Sequence, residues 1–197
     1  LARDIITVRF RFFDVAMAKL KLISKKEWEG ISFSGNQIYY NPVFLIKKYM
    51  DEPGYVVRMY LHILLHNIFL HQYKADKLDK LYWNIAADIA VENIIIEFEI
   101  KEAGLSSDGA ARDIIKTLKK RVPGLTAEKI YKDFIKNKPS DQLLKRYRDI
   151  FTLDNHFIWY EDKEMEMTIS HTEWEKIARR IKTELAAFSE NKAKSES

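Results

Sequence analysis

The 197-residue chain contains no cysteine. Disulfides and thiolate metal ligands are therefore excluded, and a transition-metal site must use histidine, carboxylates or water. The longest apolar run, residues 60–70, is interrupted by two histidines and an asparagine. It is also shorter than the roughly 20 residues that span a bilayer. Because no small-residue cleavage site follows the N-terminal segment, we expect a cytoplasmic protein without a membrane span.

A large excess of charge of either sign is also lacking. Thirty-three basic and 29 acidic residues give a net charge of +4, and the two signs are mixed along most of the chain. Basic clusters at 116–121 and 145–148 are typical of solvated helix faces, and no nucleic-acid-binding motif accompanies them. We therefore expect no nucleic-acid partner. The 47% hydrophobic content favours a single domain over residues 1–190, followed by a polar tail at 191–197.

Periodicity predicts a mainly α protein of the α+β class with one small β-hairpin. Residues 31–40 alternate apolar and polar side chains around a Ser-Gly-Asn turn, which is the hairpin pattern. Elsewhere the spacing of apolar residues favours helices, the last of which opens with a capping box at 170–173. The predicted helices cover about 4–25, 42–50, 54–73, 81–98, 110–121, 127–137, 141–151 and 171–190.

Two histidines one helical turn apart, His62 and His66, are the most informative residues. Side chains four positions apart share a helix face, with Cβ atoms about 6 Å apart, so both imidazoles can bind one metal ion. The surrounding helix is too apolar to be solvated, and a buried histidine requires a hydrogen-bond partner or a metal. Two core histidines satisfied by neighbouring carboxylates are an equally acceptable interpretation.

The next apolar helix carries two carboxylates one turn apart, Asp88 and Glu92. An unpaired carboxylate is costly to bury, so both require a cation nearby. A short connection predicts antiparallel packing of the two helices, which would bring Asp88 to the histidines. That set matches a three-ligand zinc site with one open position; alternatively, Asp88 only hydrogen-bonds a histidine. His71 lies about 180° round the predicted helix from His62, and we expect it at the surface or helix end.

Four segments of the chain have a recognisable pattern: residues 39–44, 61–66 with His71, 83–91, and 154–156 with Trp159. Together they resemble a bacterial family described as a putative metallopeptidase domain, which precedes VWA-like domains. The order and spacing of the segments match as well. The resemblance implies a zincin-like fold, with a hairpin beside the active-site helix and a metal held by His62, His66 and Asp88.

The same resemblance places the glutamate of the H-E-x-x-H motif at Ile63, which cannot accept a proton from metal-bound water. It also places a glycine at Leu70 and an asparagine at Glu92. Glu92 is then the candidate replacement base. His156, within the Asp-x-His element, is a candidate extra ligand or transition-state donor, unless it is an ordinary surface histidine.

We therefore predict a catalytically impaired pseudo-peptidase that acts as a metal-binding or protein-interaction scaffold. The alternative is an active zinc-dependent hydrolase that uses Glu92 or another acceptor as its base, so whether the chain is an enzyme stays open. A metal-free helical binding module is a third interpretation. Zinc suits imidazole and carboxylate ligands, and iron, nickel and manganese remain open. The implied partner is a VWA-like domain or a MoxR-type AAA ATPase.

Overall fold

The computed structural model describes residues 1–104, 109–160 and 171–195. For residues 188–195 only the backbone is described. Within these ranges the protein is mainly helical, with one small sheet, as predicted. The helices are α1 (Ala2–Arg9), α2 (Asp14–Met17), α3 (Pro42–Asp51), α4 (Gly54–Ile68), α5 (His71–Lys74), α6 (Lys80–Phe98), α7 (Gly109–Arg121), α8 (Ala127–Asn137), α9 (Asp141–Phe151) and α10 (His171–Ser195).

The sheet has three strands, β1 (Lys21–Ser24), β2 (Ile31–Ser34) and β3 (Gln37–Tyr40), with β3 in the centre. β2 and β3 form the predicted antiparallel hairpin, and Phe33 pairs with Ile38. Gly35 in the connecting turn has a φ of 59°, a conformation that glycine adopts without steric cost. The hairpin prediction is thus confirmed.

The prediction of one long helix over residues 4–25 was wrong. α1 ends at Arg9, and Phe10 leaves the helical region with φ −137° and ψ 68°. After a short 3₁₀ turn and α2, the chain extends into β1, which pairs in parallel with β3. β1 pairs with the edge of β3, a strand 16 residues further along the chain, as Lys21 does with Gln37. This pairing overrides the helical periodicity of the sequence.

Two buried helices, α4 and α6, form the centre of the molecule and pack against each other. α4 is apolar on nearly all sides, and it also contacts α1, α3 and α10. Both helices bury polar side chains, among them His62 and His66 on α4 and Asp88 and Glu92 on α6, and each of those requires a partner. In the described ranges, no helix combines the length and apolar character needed to cross a bilayer.

α10 begins at His171, so Ser170 of the predicted capping box lies outside the described residues. The predicted tail at 191–197 overlaps the end of α10, which continues to Ser195.

The helices α8 and α9 have the predicted bounds, and each begins after a side-chain cap, Thr126 and Ser140 respectively.

Candidate metal centre

His62 and His66 on α4 face Asp88 on α6. The Nε2 atoms of the two histidines lie 2.9 Å apart, and each lies 3.4 Å from Asp88 Oδ1. All three side chains are at most 1% exposed. The structure therefore brings together the three residues that the sequence had singled out as a metal-ligand set.

A loop after α9 adds two further side chains, Asp154 and His156. Asp154 Oδ1 lies 3.3 Å from His62 Nε2 and 3.2 Å from His156 Nε2. The sheet fixes this loop, because the backbone N–H of Asn155 donates to the carbonyl of Ile31 at 2.7 Å. His156 is thus buried in the cluster rather than at the surface. The sequence indicates Asp154 only as part of the Asp-x-His element that resembles the family. That element, followed by a tryptophan, is the sequence signal for both residues.

Trp159 supports the ring of His156 from the other side. The two rings stack with centroids 3.8 Å apart and planes inclined by 15°. Stacking restricts rotation of the imidazole and keeps Nε2 directed at the two aspartates, whose nearest oxygens lie 3.2 and 3.3 Å away. The histidine is therefore held in place without the help of a helix.

The five side chains fit a divalent metal ion. Their donor atoms all lie within 4.8 Å of one another, and neighbouring pairs are 2.9–3.4 Å apart. Bonds of about 2.0–2.1 Å to one ion produce ligand–ligand edges of about 2.9–3.4 Å, depending on geometry. Asp88 Oδ1 and Asp154 Oδ2 are buried and have no hydrogen-bond partner in the described structure. Imidazole and carboxylate donors suit zinc, manganese and iron.

The negative charges of Asp88 and Asp154 also favour a bound cation. Burial would raise the pKa of Asp88, but His156 and His62 beside it lower that pKa to about 2. Burial would likewise raise the pKa of Asp154, yet the charge and hydrogen bond of His156 hold it well below its usual value. Both carboxylates are therefore ionised at neutral pH, and two buried negative charges require two positive charges nearby.

The histidines respond differently to this environment. Burial favours the neutral ring of His62, but the carboxylates of Asp154, Asp88 and Glu92 that face it outweigh burial and raise its pKa well above 6.5. The pKa of His156 is raised because Asp154 and Asp88 outweigh burial. By contrast, burial and the neighbouring His62 lower the pKa of His66 to about 4. Two protonated imidazoles, or one divalent ion, would therefore balance the two aspartates.

Further polar contacts orient the cluster from outside. Glu92 Oε1 lies 2.7 Å from His62 Nδ1, and its Oε2 accepts from Arg58 Nε at 2.8 Å. Thr152 Oγ1 donates to Asp88 Oδ2 at 2.6 Å. Such partners fix the rotamer and tautomer of metal-binding side chains. Glu92 thus lies at the Nδ1 edge of the His62 ring, opposite the edge that faces the cluster.

We expect His71 at the surface or at a helix end from the sequence. The structure places it at the start of α5 but buried, so the expectation of a surface position was wrong. α4 ends at Ile68, five residues before the predicted end, and Leu70 adopts a left-handed conformation with φ 60°. His71 is consequently 2% exposed, with its Nδ1 2.9 Å from Nδ1 of His66. Trp83 donates to the carbonyl of His71 at 3.2 Å. His71 therefore orients His66 and lies outside the five-residue cluster.

Comparison with known proteins bears on this site. Searches among curated proteins and among solved structures found no significant match. Comparison with protein families matches residues 2–192 to a family described as a putative metallopeptidase domain. The match covers all three segments that supply the cluster. The chain belongs to this family of metallopeptidase-like domains.

Proposed function

We propose that this domain binds a zinc ion at His62, His66, Asp88, Asp154 and His156 and acts as a scaffold without peptidase activity. The observation that carries the proposal is that five protein donors converge on one point, each at most 5% exposed. Structural metal sites are closed by protein ligands, whereas catalytic sites keep one position open for water or substrate. A bound zinc ion would connect α4, α6 and the loop after α9.

The residue beside the first histidine supports the same conclusion. Ile63 stands where the resemblance places the motif glutamate, and its hydrocarbon side chain is fully buried and cannot take up a proton. Glu92 does not replace that glutamate in this arrangement, because one of its oxygens is engaged with His62 and the other with Arg58. We infer that Glu92 is a positioning residue for His62.

The second candidate function is an active metallohydrolase, and one observation favours it. Asp154 Oδ2 is buried without a hydrogen-bond partner among the described residues. If Asp154 were a proton acceptor instead of a ligand, it would supply the base that Ile63 lacks, and zinc would supply Lewis-acid activation. Glu92, the base that the sequence suggests, would have to release His62 or Arg58 before it could act in this second function.

Two measurements on the purified chain distinguish these functions. Elemental analysis should find one zinc ion per chain, reduced in the Asp88→Asn and His156→Ala variants. A peptidase assay with added zinc should detect no turnover. Turnover abolished by a chelator and by Asp154→Asn or Glu92→Gln would instead establish the hydrolase. Glu97→Gln, on the same helix but exposed and paired with Lys119, is the matched control.

We further propose that the scaffold binds a protein, with a VWA-like domain or a MoxR-type AAA ATPase as the implied partner. The exposed face of α3 supports a protein contact, because Val43, Ile46 and Met50 are 73%, 60% and 77% exposed at helical spacing. Ile46→Asp should abolish co-purification with such a partner while leaving zinc content unchanged. Unchanged co-purification would place the contact elsewhere.

A further inference from the structure

The row of side chains that holds the metal ligands of α4 begins one turn before them, at Arg58. Arg58, His62 and His66 share one face of the helix, because each lies four positions from the next. The facing side of α6 carries Asp88 and Glu92 at the same spacing. Arg58 and Glu92 are not among the five donors of the metal centre. The two helices therefore extend the charged row beyond the ligands.

Glu92 connects Arg58 to one of those ligands. Its side chain is fully buried, and Oε1 lies 2.7 Å from His62 Nδ1. Its other oxygen, Oε2, accepts from Arg58 Nε at 2.8 Å. Arg58 is 9% exposed, so little water is available to take its place. At the opposite edge of the ring, His62 Nε2 faces Asp88 and Asp154. The contacts thus form a continuous chain from the guanidinium to the imidazole.

The hydrogen bond between His62 and Glu92 decides which ring nitrogen can bind a metal. An acceptor at Nδ1 places the ring proton there and leaves the lone pair on Nε2, which points into the cluster. Rotation of the Glu92 carboxylate would remove that preference. Arg58 opposes such a rotation, because it holds the second oxygen in a charge-assisted hydrogen bond.

Arg58 also supplies a charge that the metal centre does not. Asp88 and Asp154 together balance one divalent ion, so the buried carboxylate of Glu92 requires a further positive charge nearby. The guanidinium of Arg58 provides that charge at 2.8 Å. It therefore stabilises Glu92 in the buried position from which Glu92 contacts His62.

His66 has a different outer partner. Its Nδ1 lies 2.9 Å from Nδ1 of His71, which is an imidazole and not a carboxylate. A hydrogen bond to an ionised acceptor is about twice as strong as one between neutral groups. The charged support from outside the cluster therefore acts on His62 rather than on His66.

We propose that Arg58 is a positioning residue of the metal centre, which acts through Glu92 on the Nε2 lone pair of His62. The inference rests on the proposed zinc scaffold and adds to it a residue outside the ligand set. Because Arg58 is not a donor to the metal, its effect on zinc affinity passes through the Glu92 carboxylate.

Competition with a chromophoric chelator on the full chain measures this effect. Arg58→Met should weaken zinc binding about tenfold, at the lower end of the range for outer partners of metal ligands. Arg58→Lys should recover part of that loss, because it retains the charge without the geometry of the guanidinium. Arg3→Met is the matched control. Arg3 Nε donates to the hydroxyl of Tyr60 on α4 at 2.8 Å, outside the cluster, so zinc affinity should not change.

A double-mutant cycle separates positioning from a general loss of stability. In the Glu92→Gln background, Arg58→Met should cause no further loss of zinc affinity, because the carboxylate through which Arg58 acts is absent. The visible absorption of bound cobalt(II) should shift in Arg58→Met and stay unchanged in Arg3→Met. If Arg58→Met is too unstable to purify, Arg58→Lys completes the same cycle.

The outcomes distinguish this inference from the scaffold on which it rests. Wild-type zinc affinity in Arg58→Met, or an equal loss in the presence and absence of Glu92, would refute the role of Arg58 and leave the zinc scaffold intact. A wild-type chain that binds no zinc would instead contradict the scaffold and this inference together.

Discussion

Thr152→Val tests whether Asp88 is oriented by a neighbouring hydroxyl. Thr152 Oγ1 donates to Asp88 Oδ2 at 2.6 Å, and valine has nearly the same shape but no donor. Asp88 remains ionised in the variant, because its pKa is about 2. The substitution therefore removes a charge-assisted hydrogen bond from a buried carboxylate and leaves the volume of the side chain almost unchanged.

The structure sets the size of the expected effect. A hydrogen bond to a charged group contributes about 1.5–3 kcal/mol to stability. Thr152 itself is exposed, so that water replaces part of the lost interaction, and we expect a loss of about 1–2 kcal/mol. For a chain of this length that loss lowers Tm by roughly 2–8 °C. Zinc affinity should fall about 10–100-fold, as is typical when an outer partner of a metal ligand is removed.

Urea unfolding of the chelator-treated chain measures the stability change, and competition with a chromophoric chelator measures zinc affinity. Thr117→Val is the control, because Thr117 Oγ1 donates to a backbone carbonyl on the exposed side of α7. It should change stability by less than about 0.5 kcal/mol and leave zinc affinity unchanged. If Thr152→Val matched the wild type in both assays, the hydroxyl would contribute neither to the orientation of Asp88 nor to the stability of the chain.

Two further predictions concern proton release on zinc binding and the close packing at Gly54. The pKa values of His62 and His156 are raised, so both rings carry protons at about pH 6. Zinc should therefore displace about two protons and bind more weakly as pH falls. Calorimetry in two buffers of different ionisation enthalpy counts the released protons, and a count near zero contradicts the assignment. Gly54→Ala should destabilise by about 1–3 kcal/mol, because its Cβ would lie 2.5 Å from backbone at 103–104. Gly109→Ala, with open space at its Cβ, should be neutral or mildly stabilising in thermal unfolding.

The parts of the fold that depend on local interactions could be predicted from the sequence. α8 and α9 have strongly amphipathic sequences and begin after Thr126 and Ser140, whose side chains cap them, so their bounds follow from nearby residues. β1 could not be predicted in this way, because its residues become extended only by pairing with β3. An amphipathic pattern favours a helix in isolation, and it does not reveal an available strand edge.

The error at His71 came from an assumption about backbone conformation. Residues 66–70 contain no glycine, so the sequence favours continuation of α4, and a continuous helix would turn His71 away from His66. Leu70 nevertheless adopts a left-handed conformation, which costs a non-glycine residue about 1–2 kcal/mol. This turn buries His71 and places its Nδ1 2.9 Å from Nδ1 of His66. Tertiary contacts of this kind cannot be obtained from the local sequence.

Asp154 and His156 change what the site can do. With His62, His66 and Asp88 alone, the sequence describes three ligands and one open position, which is the arrangement of a catalytic zinc site. The loop that carries the other two residues reaches the cluster because Asn155 pairs with β2, a contact between distant parts of the chain. Once both side chains are in place, five protein donor atoms lie within 4.8 Å of one another. The closed arrangement, together with an isoleucine next to His62, is why we favour a structural role for the metal over hydrolysis.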